Sequence, residues 1–432
     1  MTEKRILKNI ERQVKAFFAL EKKRPAKGSK IALMKPFYDH REVMQVVDSL
    51  LRREITLNHA AGTKVQRFED QWAKYVGKSE GIMVNSGSSA NLMALDVLRN
   101  PLLENPLKPG DEIITPALTW NTTVTPMWAL GLVPVFVDVD PETFTIKIEE
   151  IEKAITPKTR AIMPVHLLGH PCDMEAIMRI AKKHDLFVIE DCCEAHGAEI
   201  NGKKVGSFGH LATFSFFFSH HLTTMEGGMV LTNDIEHSEI IRTMRSEGVM
   251  RNWKSKRFAD SYHDNPKYKD IQQAFLWTNT GYNMRPTQIN GGFALEQFKK
   301  FPAILKVRRE NGEFFRKTFK KYADYIRVPE PAKNVKHAWF GIPLVVKENS
   351  RFTRKEFESF LNSKGIETRQ IMAGDITKQP AFALFPSRVV GDLRNTKEIH
   401  TNAFLFGNHP LIRSAERRYV VQCVEEFLAM FK

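Results

Sequence analysis

Gly81-Ile82-Met83-Val84-Asn85-Ser86-Gly87-Ser88-Ser89-Ala90-Asn91 passes from a short apolar run through a Gly/Ser turn into a helical pattern that continues to Leu98. The same alternation recurs on either side of it. Further apolar runs stand at 112–115, 133–138, 160–166, 186–191, 213–217 and 228–232, with helical patterns such as 148–154 and 174–184 between them. Short apolar runs spaced by helices predict a largely parallel sheet covered on both faces, which is an α/β architecture. Polar and glycine residues gather just after several of the run ends, where open α/β sheets place their ligands.

Working outward, residues 1–34 read as one amphipathic helix (Ile6, Ile10, Val14, Phe17, Phe18) and a basic linker, RPAKGSK. This is an arm and not a domain. Residues 35–295 form the expected large domain. Its stretch 241–290, rich in Arg, Lys, Trp and Tyr, reads as a long, partly irregular excursion. A helix from Thr287 to Arg309 leads into a small C-terminal α+β domain, 296–432, with a strand at 340–346.

Composition removes several classes. With 64 Lys+Arg against 50 Asp+Glu the net charge is +14, which favours anionic partners. No helix-turn-helix, zinc-finger or RNP-like pattern accompanies the basic residues, so nucleic acid is not expected among them. No stretch approaches the roughly 18–20 apolar residues of a membrane span, and the N-terminus lacks a secretory apolar core. Four cysteines, with Cys192 and Cys193 adjacent, make neither a disulfide framework nor a CxxC pair. A reducing cytoplasm is the expected setting.

Three stretches carry chemistry. Asn85 to Asn91 sets a Gly/Ser turn at a helix start, which suits a phosphate but equally an ordinary N-cap. Val188-Ile189-Glu190-Asp191-Cys192-Cys193-Glu194-Ala195-His196-Gly197 ends a buried strand on acids, which calls for a cationic partner or a capping role. Thr213 to Gly228 runs from a strand into a polar turn with His220 and His221 side by side, then Glu226-Gly227-Gly228. Neighbours on an extended segment point opposite ways, and no acid or cysteine stands at metal spacing, so no metal site is expected.

Taken in order, these stretches resemble the DegT/DnrJ/EryC1/StrS sugar aminotransferase family. The resemblance covers residues 35–432 and rests on NSGSSAN (85–91), TPALTWNTTV (115–124), PVFVDVDPETFTI (134–146), AIMPVHLLGHPCDM (161–174), VIEDCCEAHGA (188–198), KVGSFGHLATFSF (204–216), EGGMVLTND (226–234) and GYNMRPTQ (281–288). It implies the fold type I, aspartate-aminotransferase-like architecture: a large domain around a mostly parallel seven-stranded sheet and a small C-terminal domain. The implied cofactor is pyridoxal 5′-phosphate, cycling with pyridoxamine 5′-phosphate. Gly87 and Ser88 are then expected to hold its phosphate with help from Ser215. Trp120 would stack on the pyridine face, and Asp191 would pair with the ring nitrogen, with Glu194 also at the cofactor. Asn283 matches a residue reaching the phosphate from the neighbouring subunit, which implies a homodimer with shared active sites.

One departure decides the chemistry. The family carries a lysine in the pattern SF-x-x-x-K-N, and this chain reads Ser215-Phe216-Phe217-Phe218-Ser219-His220-His221. His220 therefore stands where the family's cofactor-bonding lysine is found. Imidazole cannot make that bond, but with an ordinary pKa of about 6.5 it can move protons. The rest of the motif set is intact, which favours altered chemistry over decay. The change resembles the 3-dehydratases of nucleotide-linked 4-keto-6-deoxy sugars. One branch of these adds an iron–sulfur cluster, which needs four Cys ligands. Residues 229–422 contain none, so no cluster is expected. The other branch, the GDP-4-keto-6-deoxy-D-mannose 3-dehydratases of colitose formation, is the nearer match. It implies L-glutamate as amino donor, loss of the C3 hydroxyl with His220 as base and acid, and His221 and Arg369 at the substrate. Asp375, where Asn is more usual, leaves the nucleotide and sugar open. An aminotransferase acting on C4 of the same keto sugar is the alternative.

Overall fold

The Ser86–Gly87 turn folds as its residues dictate. Glu80–Val84 is a strand and Gly87–Asp96 a helix. Between them the Ser86 side chain accepts a hydrogen bond from the Ser89 amide at 3.1 Å, capping the helix start. The computed structural model describes residues 2–21, 31–57, 62–249 and 254–431.

All seven apolar runs become strands of one sheet. From one edge the order is Glu80–Val84, Gly228–Thr232, Leu211–Ser215, Phe187–Asp191, Thr159–Ile162, Glu112–Pro116 and Val133–Val137. Only Gly228–Thr232 runs against its neighbours; the other pairings are parallel. Two strands differ from the sequence reading by more than one residue. The fourth strand stops at Ile162, two residues before Pro164, which has no N–H to give a ladder. The sixth spans Leu211–Ser215, because its register with Gly228–Thr232 closes at Ser215 and the next residues turn away.

The sheet also has an eighth strand that a count of seven omits. Arg388–Val389, from the C-terminal part of the chain, pairs in parallel with Val133–Val137. Two residues give no readable periodicity. Arg388 is fixed there by Glu112, whose carboxylate accepts its Nε and a terminal nitrogen at 3.0 and 2.8 Å. Val390 donates to the Phe136 carbonyl at 2.9 Å. Just before it, Phe385 stacks on Trp128, with ring centroids 5.2 Å apart. Ile376 donates to the Ala117 carbonyl at 3.1 Å. The stretch 371–390 thus leaves the small domain and is sewn to the large sheet.

The small domain is built on an antiparallel sheet ordered Ile326–Arg327, Gly341–Val346, Ala403–Gly407, Thr368–Gln370. The helix Gln288–Phe319 starts where expected, with a Thr287 capping box, but runs ten residues past Arg309. Phe315 and Phe319 on that extension are buried, and Phe315 meets Phe406 edge-on at 5.0 Å. Burying each such ring is worth about 1.5–3 kcal/mol, so packing carries the helix on. Gly312 is required on it: a Cβ there would come within 2.2 Å of the Trp339 ring. At the N-terminus the helix Glu3–Glu21 lies against the helix His40–Leu51. Ile31 then pairs with Ile366 in the small domain. Among the described residues no helix is long and apolar enough to cross a membrane.

Candidate active site

The carboxyl ends of Glu112–Pro116, Phe187–Asp191 and Leu211–Ser215, with the start of helix Gly87–Asp96, surround a cavity of about 310 Å³. The small domain closes one side with Phe340, Arg369 and Met372. Of the residues expected at the site, Gly87, Ser88, Trp120, Asp191, Glu194, Ser215, His220 and Arg369 all line this one cavity. They come from eight positions spread over nearly 300 residues of chain.

At the helix start, the first amides have no intrahelical acceptor. Gly87 lies so close to Ser215 that a Cβ would sit 2.4 Å from the serine Cβ. Gly228 similarly leaves 2.1 Å between its missing Cβ and the Ser86 carbonyl. Backbone amides and the hydroxyls of Ser88 and Ser215 thus form a floor that only glycine permits.

The paired acids at the end of Phe187–Asp191 separate by strand alternation. Glu190 points away from the cavity. Its carboxylate accepts from His166 Nε2 at 3.1 Å and from the amides of Gly206, Phe208 and Gly209 at 2.7, 2.8 and 2.7 Å. His166 Nδ1 in turn accepts from the Cys172 amide at 3.0 Å. His166, Glu190 and Cys192 lie close enough together for a metal ion, yet both ring nitrogens and both carboxylate oxygens already have protein partners.

Asp191 faces the cavity. One carboxylate oxygen accepts from Asn91 Nδ2 at 3.1 Å and Thr123 Oγ1 at 2.9 Å, the other from the Cys193 amide at 3.2 Å. These bonds fix the buried carboxylate, and among the described residues no cation pairs with it. A buried anion held by neutral donors and aimed into a cavity suits a cationic ring nitrogen. With the phosphate floor on the same wall, the residues fit pyridoxal phosphate. Asn91 and Thr123 were not singled out from sequence, although both lie in the motifs NSGSSAN and TPALTWNTTV. Their role is visible only when two helices converge on Asp191.

His220 lies where the turn after Ser215 meets the small domain. Its ring stacks on His196, centroids 5.8 Å apart, and packs on Phe340 at 5.4 Å. Its Nδ1 is buried without a partner among the described residues. The near-neutral pKa expected from sequence is corrected here. Burial, and then the charges of Arg308 and Arg369, lower it to about 3, so the resting imidazole is neutral. Glu194 moves the other way. Burial outweighs the Leu168 amide, which donates at 2.9 Å, and raises the carboxyl to about 7. Among the described residues no lysine lines the cavity.

Two expected residues are elsewhere. His221 is buried, its Nε2 donates to the Ala338 carbonyl at 3.0 Å, and it does not line the cavity. Both histidines sit in the turn after Ser215 and pack on His196 and Phe340, but only His220 reaches the cavity, with His221 behind it. Asn283 is exposed, outside its own chain's cavity, in an extended stretch where it pairs with Ser246.

Comparison with known proteins adds to this geometry. Residues 38–425 match the DegT/DnrJ/EryC1/StrS aminotransferase family. The chain is 37% identical to a GDP-4-keto-6-deoxy-D-mannose 3-dehydratase of Yersinia pseudotuberculosis over 81% of its own length and 88% of that protein. It is also 37% identical to a dTDP-4-dehydro-2,6-dideoxy-D-glucose 3-dehydratase of Saccharopolyspora spinosa, over 88% of this chain and 84% of the other. A crystal structure of GDP-4-keto-6-deoxymannose-3-dehydratase with a trapped PLP-glutamate geminal diamine superposes with a TM-score of 0.81 at 34% identity, covering 90% of this chain and all of that one.

Proposed function

The chain belongs to the DegT/DnrJ/EryC1/StrS aminotransferase family, and from that premise we propose that it is a pyridoxal-phosphate-dependent 3-dehydratase. Its substrate is a nucleotide-linked 4-keto-6-deoxy sugar and its amino donor L-glutamate, and the product feeds 3,6-dideoxy sugar formation for lipopolysaccharide O-antigen. The carrying observation is the cavity wall itself, which presents the His220 imidazole and, among the described residues, no lysine.

In this reading the amides and hydroxyls at Gly87, Ser88 and Ser215 hold the cofactor phosphate. Trp120, 49% exposed at the cavity mouth, covers the ring. Asp191, held by Asn91 and Thr123, keeps the ring nitrogen protonated, and Glu194 sits beside it. The bound cofactor supplies an amine for the C4 ketone and a ring that accepts electron density. His220 takes up a proton inside the cavity and delivers it to the departing C3 oxygen. An imidazole with a depressed pKa is a strong acid once protonated, which suits that second task. Arg369, whose Nε is buried without a partner among the described residues, faces the substrate's anionic groups.

The assembly we propose is a homodimer with shared sites. Its support is Asn283, exposed and outside its own cavity, in a segment that also exposes Phe275 and Trp277 at 59% and 66%. We take residues 1–34 as an arm, 35–295 as the cofactor-binding domain and 296–432 as the small domain. A cytoplasmic setting fits four cysteines that stand as free thiols.

The test is mass spectrometry of the sugar after incubation with pyridoxal phosphate, L-glutamate and a panel of GDP-, CDP- and dTDP-linked 4-keto-6-deoxy sugars. A product lacking one oxygen, with ammonia released, is expected and identifies the nucleotide. A product carrying an amine would establish the 4-aminotransferase instead.

A further inference from the structure

Behind His220, on the side away from the main cavity, lies a small recess lined by Lys35, Gln297, Arg308 and both histidines of the pair. Arg308 comes from the helix Gln288–Phe319 and is 4% exposed. Its guanidinium donates to the carbonyls of Phe340, at 3.0 Å, and Asn408. No carboxylate among the described residues faces it, and burial alone shifts it, to about 9. At neutral pH it is therefore a charged, buried group with no counter-charge. Burying a charge without a counter-charge is costly. Folding does not explain its presence there.

Its position does. The carbonyl it grips belongs to Phe340, whose ring packs on both His220 and His221, at 5.4 and 5.9 Å. We propose that Arg308 is a positioning residue for the proton chemistry at His220: its guanidinium fixes the Phe340 wall beside the imidazole and opposes the imidazole's protonation from the rear. This rests on the reading of His220 as the proton carrier. The groups facing His220 are few. Glu194 and His196 follow the strand Phe187–Asp191, and His221 is its chain neighbour. Arg308 comes from the long helix, Arg369 from the small domain, and Lys35, Asp191 and Glu226 line the adjoining walls. Arg308 and Arg369 are the two cations that depress its basicity, and Arg369 lies on the substrate side, where a bound anion offsets it. The rear charge persists through turnover, so a protonated His220 is always pressed to release its proton.

The experiment is NMR titration of isotope-labelled histidines in the cofactor-loaded protein, with His220 assigned by its absence in His220→Asn. Two neutral variants are compared with the parent: Arg308→Gln, which keeps hydrogen-bond donors, and Arg308→Met, which packs without charge. Arg308→Lys retains the charge. The His220 midpoint is expected below pH 5.5 in the parent and in Arg308→Lys. It should rise by about one unit or more in whichever neutral variant folds, a tenfold gain in protonated fraction. A parent midpoint at or above 6.5, or a folded neutral variant in which His220 does not move, would overturn the proposal. This readout is independent of turnover. If instead His220→Asn still dehydrates the sugar at the parent rate, the reading of His220 fails while the charge relationship stands.

Discussion

Gly87 and Ser215 touch across the cavity floor: a Cβ on the glycine would lie 2.4 Å from the serine Cβ and 2.8 Å from its Oγ. The two residues belong to different strand ends, and their contact sets the floor on which a phosphate rests. Gly87→Ala must push Ser215 aside, an overpacking cost of about 1–3 kcal/mol. Thermal unfolding should show that loss. Absorbance titration with pyridoxal phosphate should show affinity reduced at least tenfold. Ser88→Ala removes one hydroxyl only and should weaken binding by less than the glycine change.

His220→Asn should bind cofactor as the parent does while dehydration falls by about 10²–10⁴, the range for losing a positioned proton carrier. Steady-state assays with the active nucleotide sugar measure the fall. His220→Lys should restore a covalent bond to the cofactor aldehyde, seen as a borohydride-fixed adduct, and should abolish dehydration. Normal loss of the C3 hydroxyl in either variant would remove His220 from the mechanism.

Glu194 makes stability depend on pH in a specific direction. Its folded pKa is about 7, above the ordinary value of 4.5, so the folded state binds the proton more tightly. Stability from this group is complete below about pH 4.5 and is lost as pH rises toward 7, by up to about 3 kcal/mol. Denaturant unfolding of the cofactor-free protein across that range should show the decline, and Glu194→Gln should flatten it. An unchanged slope in the glutamine variant would mean that another group is responsible.

A shared active site predicts complementation. His220→Asn and Asn283→Ala should each be nearly inactive alone. When the two are co-expressed, mixed dimers contain one site with both residues intact, and activity should return to at most about one quarter to one half of the parent's. Recovery absent from isolated mixed dimers would place Asn283 outside the neighbour's site.

The sheet was readable because each buried strand is an apolar run bounded by turn residues, as at 228–232, where the predicted and observed limits coincide. The site was readable wherever a motif sits at a strand end, as Gly87, Asp191 and His220 do. What escaped depends on contacts made in three dimensions. Asn91 and Thr123 gain meaning only by converging on Asp191, and Arg308 only by lying behind a turn some ninety residues earlier in the chain. Residue type alone does not tell that the turn brings His220 to the cavity and leaves His221 behind it, against the Ala338 carbonyl. The two-residue strand at Arg388 is too short to leave a pattern at all.

That strand rivets the two sheets' domains together beside the cavity. Residues 371–390 start beside Arg369, cross to the large sheet and are fastened there by the Arg388–Glu112 ion pair, the Val390–Phe136 bond and the Phe385–Trp128 stack. Swinging the two domains apart would break these fastenings together, at about 1 kcal/mol for each neutral hydrogen bond and more for the charged one. The cleft is braced along this edge. Trp120, half-exposed, stands at the cavity rim.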